Sequence, residues 1–115
     1  MPDSSPELQR YLERALPELE EELAVYREQA AGARRGPGDA LQDLVPALRQ
    51  RVCAEWQWCD KRQDARFDDP VNIATLLVTL LAPDALRWQV PAALLAVILV
   101  KRGLDAFCEC PPLGE

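Results

Sequence analysis

The stretch Pro91–Cys108, PAALLAVILVKRGLDAFC, decides the fold. Its proline is followed by nine apolar residues before Lys101, and a helix that is apolar on every side has to be buried in protein or in lipid. The rest of the chain is then read as cover for it. Just upstream, Val71–Ala82 is apolar apart from Asn72, Thr75 and Thr79, which fall on one narrow line of a helix. Asp69-Pro70 opens that helix with a cap and a proline at its first position, and Pro83-Asp84 is expected to end it. Helices over 70–82 and 91–109 would make a central apolar hairpin. Two outcomes compete at its far end. Lys101-Arg102-Gly103, with Leu104 able to fold back on Leu99, suits a helix stop. Ala92, Ala96, Gly103 and Ala106 near one line, and Asp105 pairing with Lys101 at i, i+4, favour continuation, so the helix is expected to reach about residue 109, where Pro111-Pro112 forbids more.

Outward from this hairpin the sequence supplies two amphipathic helices. Leu8, Tyr11, Leu12, Leu16, Leu19, Leu23 and Tyr26 recur at steps of three and four, with glutamates mostly on the other side. Ser5 as cap and Pro6 as first residue start this helix, and Pro17 should kink it or split it in two, one bent element spanning 6–31 being expected. Residues 32–38, GARRGPG, form the clearest loop. Asp39 with Gln42 resembles a capping box for a helix over 39–59, whose stripe is Leu41, Leu44, Val45, Leu48, Val52, Trp56 and Cys59. Residues 60–69 are polar. The expected object is an all-α, compact four-helix bundle-like domain covering 1–115, with frayed ends at 1–5 and 111–115.

Composition agrees. Leucine and alanine dominate the 115 residues, and strand-favouring aromatics are few. A net charge of −6 leaves no basic footprint for nucleic acid. Arginine outnumbers lysine eleven to two, a bias that a GC-rich bacterial genome also produces. Met1–Pro6 is polar and carries no signal-peptide pattern, so a cytoplasmic setting is expected, with the four cysteines as thiols.

The chain has no histidine, which removes histidine ligands, histidine bases and every Ser-His or Cys-His nucleophile. Serine occurs only at Ser4 and Ser5, and GARRGPG matches no phosphate-binding loop. No catalytic constellation or cofactor site emerges, and the chain is expected not to be an enzyme. Cys53, Cys59, Cys108 and Cys110 form two pairs that would offer four thiolates to zinc if they met. The spacing is poor, because six residues turn a helical side chain about 120° from its partner, and Cys53 and Cys59 converge only if the helix breaks near Trp56. Small buried hydrophobes are the plainer alternative.

Trp58 lies about 200° round the helix from Trp56 and shares its side with Arg51 and Arg62. That reads as an exposed aromatic flanked by guanidinium groups, the residue types enriched at protein–protein hot spots, or as internal cover for another helix. The apolar runs 71–82 and 90–100 are each about 18 Å long as helix, short of the roughly 30 Å of membrane hydrocarbon, so burial in protein is favoured over a membrane hairpin. The functional expectation is a non-enzymatic protein–protein interaction module, an accessory or adaptor subunit that self-associates as a homodimer or joins an obligate partner. A cysteine-based metal-binding or redox-responsive protein and a membrane-peripheral hairpin are the alternatives.

Overall fold

The computed structural model describes residues 6–31, 37–64, 67 and 69–111. Seven helices and no strand occur among them: α1 Pro6–Leu12, α2 Leu16–Ala31, α3 Pro37–Arg49, α4 Trp58–Lys61, α5 Pro70–Trp88, α6 Ala92–Arg102 and α7 Leu104–Phe107. A π-helical segment, Gln50–Glu55, continues α3. The radius of gyration is 13.9 Å, close to the ~13 Å of a compact chain near this length.

The centre is α6. Leu94, Leu95, Ala96, Val97, Ile98 and Leu99 are all completely buried, as an all-round apolar run requires. It is surrounded by α1, α2, α5 and α7, while α3 lies chiefly against α2. Leu19 and Leu23 of α2, Leu48 and Val52 beyond it, and Leu77 and Leu81 of α5 are the other large side chains that are fully buried. Each burial of a leucine of this kind is worth about 2 kcal/mol relative to exposure.

Several boundaries depart from the sequence expectation, each for a local reason. The bent helix over 6–31 is two helices, and Pro17 does not kink it. Pro17 falls in the first turn of α2, where no N–H is needed. The elbow between them is held by Tyr11, whose hydroxyl donates to Glu22 at 3.1 Å, and by Arg14, which pairs with Glu22 and with Glu18 at 3.6 Å. Ser5 and residues 32–36 lie outside the described residues, as does the side chain of Asp39, so neither proposed cap there is seen.

Helix α5 begins as expected, with Asp69 Oδ1 accepting from the Val71 N–H at 2.9 Å. It does not stop at Pro83 but runs on to Trp88. A proline inside a helix costs about 3 kcal/mol through the lost hydrogen bond and the clash with the preceding turn. Here Pro83 faces solvent, while Leu81, Asp84 and Ala85 on either side of it are buried and anchor the inner face. The true end is Gln89, in the left-handed region at φ 61°. Its N–H bonds to the Leu86 carbonyl at 3.2 Å, and the Val90 N–H bonds to Ala85 at 3.0 Å. That is the Schellman arrangement, with Val90 and Ala85 both buried.

The last helix also stops early. Gly103 adopts φ 93° and its N–H closes the final turn on Leu99 and Val100, so α6 ends and α7 starts afresh. The competing helix-stop signal at Lys101-Arg102-Gly103 prevails over the small-residue line that favoured continuity to residue 109.

Candidate functional site

Chemically distinctive side chains gather in one corner, where the chain after α3 meets α7. The corner exists because the helix breaks. The π segment ends with the Trp56 N–H donating to the Arg51 carbonyl at 3.0 Å, and Gln57 then turns into the left-handed region at φ 60°. A regular helix would set Trp56 and Trp58 on different sides. After the break their rings stack at 5.9 Å between centroids, and Phe67 meets both edge-on at 5.8 and 5.4 Å.

The same break brings the cysteines into register. Cys53 is bonded to Cys108, and Cys59 to Cys110, with Cα–Cα distances of 5.5 and 5.4 Å. The expectation of four thiols is therefore not met. In place of a four-thiolate arrangement there are two covalent links, and no group of three or more His, Cys, Asp or Glu among the described residues is placed to hold a metal ion. All four cysteines are half-buried.

The exposed Trp58 flanked by arginines is likewise corrected. Trp58 is only 5% exposed, and it covers its own subunit. Its indole Nε1 donates to Asp105 Oδ1 at 2.8 Å, while Arg62 Nη1 lies 3.1 Å from Asp105 Oδ2. One carboxylate on α7 thus joins the indole and the guanidinium. Arg62 is 6% exposed at its side chain, it also donates to the Pro111 carbonyl, and its Nε has no partner among the described residues. On the C-terminal strap, residues 103–111, Phe107 accepts through its carbonyl from Arg49 of α3 at 3.1 Å, and the same guanidinium stacks over the Phe107 ring at 5.6 Å.

Arg51, the third residue of the expected interaction face, is directed elsewhere. It grips Asp84 on α5 through Nε at 2.9 Å and Nη2 at 3.2 Å, and reaches Glu55 at 2.7 Å. Hydrogen bonding from Arg51 lowers the pKa of the Asp84 carboxyl from its ordinary value despite its burial, with Arg87 at 2.8 Å assisting.

Beside the corner is an open cleft of about 530 Å³, floored by Leu41, Val45, Ala106 and Phe107 and edged by Arg49 and Arg102. Arg102 already pairs with Glu20 at 2.8 Å. No family model matches the chain, nor does any curated protein or solved structure.

Of the expected site residues, Trp58, Arg62 and the four cysteines come together in this corner and Arg51 does not. Sequence reasoning missed Asp105, which it paired with Lys101, and Asp84, which it placed at a helix end. Four cysteines in two close pairs were the available signal for the clasp. The compartment inference weighed against it.

Proposed function

We propose that this chain is a non-enzymatic protein–protein interaction module that self-associates through the outward face of α5. One observation carries the reading. Helix α5 is 19 residues long and strongly apolar, yet Leu86 is 81% exposed and Leu76 39% exposed on its outer side. Leu76, Pro83 and Leu86, with Thr79 between them, follow three- and four-residue steps, the spacing at which two helices pack. A finer architecture, a four-helix bundle built round an α5–α6 hairpin, is supported by the extent of the packing between these two helices.

Light scattering of the purified protein tests this. A concentration-dependent dimer that Leu86→Glu converts to monomer, with unchanged circular dichroism, is the expected outcome. A monomer at high concentration would refute it.

A second reading is favoured by the same helix. It is long and apolar enough to cross a membrane, and only 28% of its most apolar window is buried. Asp84 and Arg87 within it weigh against lipid, because an ionisable group in the membrane is costly. Flotation with liposomes separates the two. As to compartment, the two disulfides support an oxidising setting in preference to the reducing cytoplasm expected from Met1–Pro6.

A further inference from the structure

We infer that Trp58 and Arg62 form a carboxylate receptor that Asp105 of the C-terminal strap occupies in cis, and that reduction of the two disulfides frees it for an acidic side chain of another polypeptide. The receptor belongs to the body of the fold. Trp58 packs in a three-ring cluster with Trp56 and Phe67 that holds its indole donor, and beside it the Arg62 side chain is 6% exposed with the strap in place. The ligand comes from outside. Asp105 sits on a four-residue helix and its side chain is 56% exposed.

The occupancy is incomplete. Asp105 takes one Arg62 nitrogen and the indole N–H, and the buried Arg62 Nε is left without a partner among the described residues. A guanidinium offers parallel charged donors suited to a carboxylate, and the neighbouring indole N–H adds a third donor to the same group.

Besides the disulfides, the strap's described residues are held by buried Leu104 and half-buried Phe107, by the Asp105 contacts to Trp58 and Arg62, by Arg49 on Phe107 and Glu109, and by Arg62 on the Pro111 carbonyl, all non-covalent. Gly103, at φ 93° with open space where a Cβ would lie, is the joint about which the strap would swing.

Release is a thiol–disulfide exchange with a dithiol. One thiolate attacks a sulfur of Cys59–Cys110, breaking that bond and forming a mixed disulfide. The second thiol then displaces the protein sulfur, so the dithiol becomes a disulfide while Cys59 and Cys110 each gain a proton. A second dithiol reduces Cys53–Cys108 in the same way.

The test uses the full-length chain carrying Asp105→Ala, so that the tethered strap does not compete, and a labelled peptide of residues 103–110 with Cys108→Ser and Cys110→Ser. After reduction, verified by mass, the peptide should bind at least about tenfold more tightly than to the oxidised protein, and about tenfold more tightly than a peptide with Asp105→Asn. Full-length Cys53→Ala/Cys59→Ala/Asp105→Ala should bind it without reductant, and adding Arg62→Gln should abolish binding. Equal binding to oxidised and reduced protein, indifference to the aspartate, or loss of helical circular dichroism in both the reduced and the cysteine-free proteins would overturn the inference. The α5 surface takes no part, so failure here leaves the self-association proposal standing.

Discussion

Asp84, in the middle of a helix and 3% exposed, is clasped by Arg51 from the π-helical turn that follows α3. This fork joins two elements 33 residues apart, and it explains how α5 continues past a proline. Removing the carboxylate leaves Arg51 without its main partner. Asp84→Ala is expected to lower unfolding stability by about 2 kcal/mol, read by chemical denaturation.

The same carboxylate sets an acid limit. Its pKa is depressed in the folded protein, so its stabilisation is complete above the unfolded value near 4 and is lost as pH falls through the folded value. Denaturation midpoints should therefore drop below about pH 4 in the parent protein. In Asp84→Asn that part of the decline should be missing.

Tyr11 sets an alkaline counterpart. Burial, and next the Glu22 carboxylate that accepts its hydroxyl proton, push its pKa above the ordinary tyrosine range. A raised folded value means that the contribution is present below about pH 10 and is lost as pH climbs through the folded pKa. Ultraviolet titration should show one phenol resisting ionisation beyond that pH, and Glu22→Gln should bring it down.

Two helix ends make opposite predictions. Gln89 occupies a left-handed position that glycine adopts without strain, so Gln89→Gly should stabilise the protein by about 0.5–1 kcal/mol. Gly103 has φ 93°, so Gly103→Ala should destabilise by about 1–2 kcal/mol although no atom blocks the new methyl. Thermal melts read both.

The two disulfides should act non-additively. They close almost the same loop, with separations of 55 and 51 residues. Removing either pair leaves the other to restrain the unfolded chain, at a cost of about 2–3 kcal/mol. Removing both should cost more than twice the single effect, measured as denaturant midpoints of Cys→Ala pairs.

How much of this was legible in the sequence varies by residue. The burial of Leu94–Leu99 followed from an uninterrupted apolar run, and the Asp69-Pro70 cap from local chemistry that no distant contact alters. Pro83 misled because its cost is local, whereas the Arg51–Asp84 fork that outweighs it is distant. Trp58 was placed on the wrong side because its angle was counted along a continuous helix. The break rests on Gln57, and the end of α5 on Gln89, both in left-handed conformations of which glutamine gives no local sign. Asp105 was matched with its neighbour four residues back, since Trp58 and Arg62 become its partners only through the tertiary fold.

The clasp also fixes how the molecule behaves when cut. Cys53 and Cys59 lie before the polar connection at 60–69, and Cys108 and Cys110 lie beyond α6. A protease that nicks the backbone anywhere between residues 59 and 108 yields two polypeptides that travel as one covalent species. They separate on a denaturing gel only when a reductant is added.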